Sequence, residues 1–270
     1  MNILKALFNF YINASIHVAL AAYALVRVTE CYWEIGYNET LSYVVFYGTI
    51  TGYNFVKYVG IAKLHHRSLT RNLKIIQLFS LLSFIALLYY VWQLSVEIVI
   101  YMAPFGVLTV LYAIPFLSGF QKNLRNISYL KIVVVAFVWA GVTVLLPLVD
   151  AGLPLTKVVL YQLLQRFLLV CVFILPFDIR DMQFDAISLQ TIPKKIGVEK
   201  TKKMGYVLLL FSLVLEFAIA PTVAVRNGFL LMFLLSLFLL MRATENQSKY
   251  YSSFWVESIP IVWWLLLALY

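Results

Sequence analysis

Nine apolar stretches, each of roughly 15–22 residues and each able to cross a hydrocarbon layer as one helix, divide this chain and limit what it can become. They run over about 10–26, 41–62, 75–94, 98–117, 132–149, 157–177, 205–225, 228–242 and 254–270. Inside a bilayer every backbone N–H and C=O needs an internal partner, so apolar stretches of this length are expected as helices. The composition agrees. Of 270 residues, 63% are hydrophobic and only 12% charged, with a mean hydropathy of +0.90; a soluble domain is nearer half apolar and a quarter charged. No cleavable leader is visible, so the first apolar segment is expected to stay. The sequence reads as one all-α integral membrane domain, 1–270, with a tight turn near 95–97 and a hairpin at Arg226–Asn227–Gly228.

The net charge of +9 has a topological explanation and does not call for a nucleic-acid partner. With the N-terminus inside, sixteen of the 21 basic residues fall in the inner segments, and only Arg27, Lys157 and Arg226 lie outside. Basic residues accumulate on the cytoplasmic side of membrane proteins. This orientation puts the N-terminus in the cytoplasm, the C-terminus outside, and the loops 63–74, 118–131 and 178–204 on the cytoplasmic face. Cys31 and Cys171 are isolated and match no metal or redox spacing.

The polar stretch that stands out is FDIRDMQFDAISLQTIPKKIG, from Phe177 to Gly197. Asp178, Asp181 and Asp185 are spaced by three and four residues, so a helix continuing through them places all three on one face. Like charges so arranged repel, and a hard divalent cation such as Mg²⁺, carrying a diphosphate, would compensate them through carboxylate and phosphate oxygens. A solvated acidic loop after a membrane helix is the plainer alternative. The basic loops nearby either serve the same phosphate site or simply set topology and meet anionic lipid.

Asp178, Asp181, Asp185, Thr191, Pro193 and Gly197 together resemble the second aspartate-rich motif of the UbiA superfamily of intramembrane prenyltransferases. The nine spans and the inner N-terminus match that family along the whole chain. Residue matches are firm over about 178–197 and weak over 112–141, where Lys122 and Arg125 resemble the family's basic segment. The resemblance implies a UbiA-like bundle with its site at the cytoplasmic side. It also implies transfer of an isoprenyl group from its diphosphate to a lipophilic acceptor, with Asp178, Asp181 and Asp185 in the reaction centre and Asn54, Lys57, Lys122 and Arg125 on the diphosphate. The family's first motif, Asn-Asp-x-x-Asp-x-x-x-Asp, survives here only as Asn54; Phe55, Tyr58 and Ala62 stand where aspartates are expected. One metal site is thereby lost, leaving one Mg²⁺ on Asp181 and Asp185, with Lys57 as a substitute positive charge. The alternative for Lys57 is snorkelling to the inner surface.

Two further functional classes fit the same sequence: a non-catalytic isoprenoid- or lipid-binding protein built on that fold, and a lipid transporter. Other polar residues within spans read as structural. Arg166, ~18 Å up the helix from Asp178 at 1.5 Å per residue, is expected to pair with Glu216. Asn13 and His17, four apart, are expected to be satisfied within the bundle.

Overall fold

A computed structural model describes residues 3–62, 71–114, 129–182, 191–219 and 221–269, and among these the secondary structure is helical throughout. In chain order the helices are α1 (Ile3–Asn13), α2 (Ile16–Trp33), α3 (Glu39–Ala62), α4 (Arg71–Gln93), α5 (Val96–Ala113), α6 (Leu130–Ala140), α7 (Leu146–Asp150), α8 (Lys157–Asp181), α9 (Ile192–Ile196), α10 (Val198–Ile219), α11 (Val223–Arg242) and α12 (Ile259–Leu267). Two π-helical stretches interrupt them, Gly141–Leu145 joining α6 to α7 and Tyr251–Val256 before α12. Helices lie over every apolar segment expected from the sequence. Among the described residues, five are long and apolar enough to cross a membrane, or six if the bent pair α1–α2 counts as one span.

Three expectations about boundaries are corrected. The first span is not a straight helix over 10–26; α1 and α2 meet at 55°, because Ser15 takes a left-handed backbone (φ 63°) that a right-handed helix cannot carry. The break between α10 and α11 lies at Pro221–Thr222, not at Arg226–Gly228. Pro221 cannot continue the helical hydrogen bonding, and Thr222 starts α11 by accepting the Val225 N–H at 3.4 Å. The eighth segment accordingly gains a turn and runs 20 residues. The tight turn at 95–97 is present, with the Ser95 hydroxyl capping α5.

The core forms where α2, α8, α10, α11 and α12 meet. Leu25, Leu169, Leu175, Leu209, Phe229, Leu240 and Trp263 are buried together there. Gly205 permits a close approach there: a Cβ at that position would stand 2.5 Å from Leu240 and 2.8 Å from Leu175. By contrast α4 turns Leu78, Leu81, Leu82, Ile85, Leu88 and Trp92 outward, the surface expected against lipid tails. In the wall between, α6 changes register at the π-helical stretch. Pro147 has no N–H for the Thr143 carbonyl, and that carbonyl takes the Thr29 hydroxyl instead, at 2.6 Å.

Candidate functional site

The bend between α1 and α2 leaves carbonyls that the helix itself does not satisfy, and α3 supplies the missing donors. Asn54 Nδ2 donates to the Ala14 carbonyl at 3.0 Å and to Ser80 Oγ at 2.8 Å. Ser15 Oγ donates to Asn54 Oδ1 at 2.8 Å and accepts from Lys57 Nζ at 2.8 Å. The Tyr58 hydroxyl closes on the Asn13 carbonyl at 3.1 Å. Asn54, Lys57 and Tyr58 thus share a helix face, as their spacing requires, and that face reads the break. Asn54 is buried and its amide is committed to this network. Lys57 remains accessible, and its ammonium has three donors, of which Ser15 takes one.

Across the bundle, α8 continues through Asp178 to Asp181, as the spacing predicts. Asp178 is fully buried and accepts from Lys131 Nζ at 2.7 Å. Lys131 stands in the first turn of α6, so this ion pair ties the start of α6 to the end of α8. Asp181 is partly exposed and accepts from Arg180 Nε at 2.8 Å. The Arg180 guanidinium also lies over the Phe177 ring, 5.2 Å from its centroid. Asp185, Lys122 and Arg125 lie outside the described residues. Thr191, Pro193 and Gly197 form the entry and exit of the short helix α9, which Gly197 ends at a positive φ of 82°.

Glu257 belongs to no motif that the sequence displays. It comes directly after the π-helical stretch Tyr251–Val256 and is partly buried. Two side chains, Gln247 and His17, hold the backbone on either side of it. Gln247 Nε2 reaches the Pro176 carbonyl at 2.6 Å and Ser252 Oγ at 2.7 Å, which docks the π-helical stretch on α8 one turn before Arg180. His17 Nε2 lies 3.0 Å from the Phe254 carbonyl and 3.1 Å from Ser258 Oγ, while its Nδ1 lies 2.7 Å from the Tyr11 hydroxyl. That matches the expectation that His17 is satisfied inside the bundle. Ser15, two residues before His17, holds Lys57. The start of α2 therefore contacts both Lys57 of α3 and the backbone beside Glu257. A period-of-3.6 reading of 254–270 could not see this, because a π-helical stretch rotates the residues C-terminal to it.

At this end of the bundle two ion pairs stand close in sequence on α8, Lys131 with Asp178 and Arg180 with Asp181. Among the described residues no three His, Cys, Asp or Glu side chains gather as a metal site. Asp181 still has room for a cation: that carboxylate is partly exposed and accepts one hydrogen bond from Arg180, while a carboxylate has about four lone-pair sites.

Deeper in the bundle, the expected pair between Arg166 and Glu216 is replaced by two separate sets of partners. Arg166 donates to the Leu25 carbonyl at 2.9 Å, Thr143 Oγ1 at 3.0 Å and Thr29 Oγ1 at 3.3 Å, and lies over Trp263. Glu216 accepts from the Tyr32 hydroxyl at 2.9 and 3.0 Å and from Gln165 Nε2 at 2.7 Å. The Leu25 carbonyl of α2 and two threonine hydroxyls take the place of the expected carboxylate. Sequence spacing alone could not reveal those partners.

No family model matches the sequence, and no curated protein matches it either. Its shape is more informative. A UbiA homologue from Archaeoglobus fulgidus bound to GPP and Mg²⁺ superposes with a TM-score of 0.67 at 14% identity, over 96% of this chain and 97% of that one. The same homologue bound to DMAPP and Mg²⁺ gives 0.65 at 14% identity, over 96% of both chains. A digeranylgeranylglyceryl phosphate synthase gives 0.60 at 14% identity, over 98% of both. The chain has the UbiA fold.

Proposed function

We propose that this protein is a membrane prenyltransferase of the UbiA kind, transferring an isoprenyl group from its diphosphate to a lipophilic acceptor with one divalent ion in place of two. The observation that carries this reading is the convergence of Lys57, Lys131, Arg180 and Asp181, from three separate helices, at one end of a bundle whose solved counterparts hold GPP or DMAPP with Mg²⁺.

In this reading Lys57 and Arg180 take the diphosphate. Both keep donors beyond those used within the chain, and phosphate oxygens accept charge-assisted hydrogen bonds from them. The Lys131–Asp178 pair holds the mouth of the site in shape, since a buried carboxylate bonded to a lysine on the neighbouring helix fixes how α6 and α8 meet. Asp181, with Asp185 a turn further along the sequence, would hold the ion. Bound there, Mg²⁺ supplies neutralisation of the charge that develops on the departing diphosphate. Lys122 and Arg125 are assigned to the same phosphate group. The remaining α3, α10 and α12 segments complete a nine-span bundle, with the N-terminus and the site on the cytoplasmic side.

One feature favours a second reading, a non-catalytic isoprenoid-binding protein: both described aspartates of the α8 motif already have a cationic partner within the chain. The deciding experiment incubates purified protein with radiolabelled isoprenyl diphosphates of several lengths, Mg²⁺ and a membrane lipid extract. Labelled lipid product that disappears in Asp181→Asn supports the transferase. Diphosphate binding without product under every acceptor supply supports the binding protein.

A further inference from the structure

We propose that the segment 247–258 is a strut that fixes Lys57 of α3 relative to Asp181 of α8, and that Gln247 and His17 are positioning residues for the diphosphate. The inference rests on the reading of Lys57 and Asp181 as two sides of the diphosphate site. On α3, Asn54 and Lys57 spend their hydrogen bonds on the α1–α2 break and on Ser80 of α4. Deeper in the bundle Arg166 ties α8 to α2 directly through the Leu25 carbonyl. That tie lies ten residues before Pro176, ~15 Å at 1.5 Å per residue. Near Asp181 the link is made by the segment that follows α11.

Its bonds form a continuous route. Gln247 Nε2 donates to the Pro176 carbonyl of α8 at 2.6 Å and to Ser252 Oγ at 2.7 Å. The helix directs the Arg180 N–H to that same carbonyl, so Gln247 grips α8 at the turn that carries Arg180 and Asp181. On α2, His17 Nε2 meets the Phe254 carbonyl at 3.0 Å and Ser258 Oγ at 3.1 Å. A carbonyl can only accept, so Nε2 carries the proton and Nδ1 accepts from the Tyr11 hydroxyl. The His17 ring also stacks on Phe254, with centroids 4.9 Å apart. Two residues before His17, Ser15 accepts from Lys57. Lys57, Ser15, His17, the 252–254 backbone, Gln247 and Pro176 thus form one chain between the two sides of the site. The strut is pinned at two further points. The Tyr250 hydroxyl bonds Asn9 Oδ1 of α1 at 2.6 Å, and the Tyr251 hydroxyl bonds the Leu239 carbonyl of α11 at 2.7 Å. Anchored on four helices, it cannot shift on one without breaking bonds to another. A diphosphate held from both sides depends on that separation, since a misplacement of about 1 Å caused far from the reacting atoms is costly.

A strut and a merely structural segment differ in one measurable respect, the coupling to Lys57. Geranyl diphosphate with Mg²⁺ is titrated by calorimetry into wild type, Lys57→Met, Gln247→Leu and His17→Phe, and into each of the last two combined with Lys57→Met. His17→Phe keeps a ring against Phe254 and removes the hydrogen bonds. Unfolding midpoints confirm that each protein is folded at the temperature used. Each single variant should weaken binding about tenfold. Adding Lys57→Met to either strut variant should weaken it by less than about threefold more, because a Lys57 no longer held in place has little left to lose; the double-variant cycle reads this coupling. Wild-type affinity in either strut variant, or losses that multiply in full, overturns the inference and leaves the proposed function standing. Lys57→Met binding like wild type also overturns it, since the strut then positions nothing at its far end. Failure of both strut variants to fold makes the segment a folding element and overturns the inference as well. No binding by wild type overturns the proposed function together with the inference.

Discussion

Single residues in this protein do work that their position in the sequence does not announce. Asn54 is the clearest case. It is the one survivor of a motif that elsewhere belongs to a metal site, yet here its amide joins Ala14, Ser15 and Ser80 at the break between α1 and α2. Replacing it by alanine strands a buried carbonyl and two hydroxyls, and an unsatisfied buried group costs about 1–3 kcal/mol. Asn54→Ala should therefore lower the thermal midpoint in detergent by several degrees, measured by tryptophan fluorescence, even without ligand. A midpoint equal to wild type would show that the break does not depend on α3. Asp178 is the second case. Removing one partner of a buried ion pair costs about 3–5 kcal/mol, less here because a fifth of the Lys131 side chain is exposed. Asp178→Asn should destabilise by about 2 kcal/mol, and Lys131→Met in addition should restore much of the loss. A double variant no more stable than the single one would mean that the pair is not what holds α6 to α8.

At the level of elements, the irregular turns are where the helices become specific. The π-helical stretch Gly141–Leu145 lets Thr143 present its carbonyl to Thr29 and its hydroxyl to Arg166. Gly141 sits under the Phe105 ring, close enough that a Cβ would collide with it. Gly141→Val should force Phe105 out and separate α5 from α6, a core overpacking of about 1–3 kcal/mol. Phe105→Ala in the same chain should relieve part of that collision, and the double-variant cycle, read by thermal unfolding, would show the coupling directly. The stretch Tyr251–Val256 acts similarly, since Gln247 and His17 dock it on α8 and α2.

For the whole molecule, the prediction concerns ligand linkage and orientation. A ligand that binds only the folded protein stabilises it by mass action, about 2.7 kcal/mol at a hundred times its Kd. Mg²⁺ with an isoprenyl diphosphate should raise the unfolding temperature of wild type, and Asp181→Asn should abolish the rise while leaving the ligand-free protein folded. A full ligand-induced shift in that variant would place the metal elsewhere. Reporters fused in 63–74, in 178–204 and after Tyr270 check orientation: the two loops should report the cytoplasm and the C-terminus the outside. A cytoplasmic C-terminus would overturn the nine-span arrangement.

The apolar segments alone determined that this chain is a helical membrane bundle, because hydrocarbon admits no other backbone solution for such lengths. The spacing of Asp178 and Asp181 likewise carried through to the structure, since both lie on one continuous helix where periodicity is reliable. Only the tertiary structure decided what those residues touch. Lys131 and Arg180 read as topological charges until the bundle placed them against aspartates. The Ser15 hydroxyl finds its partners 39 and 42 residues on, and Arg166 and Glu216 reach partners 141 and 184 residues away. Helical periodicity describes one helix at a time, and it is silent about which neighbour completes a site.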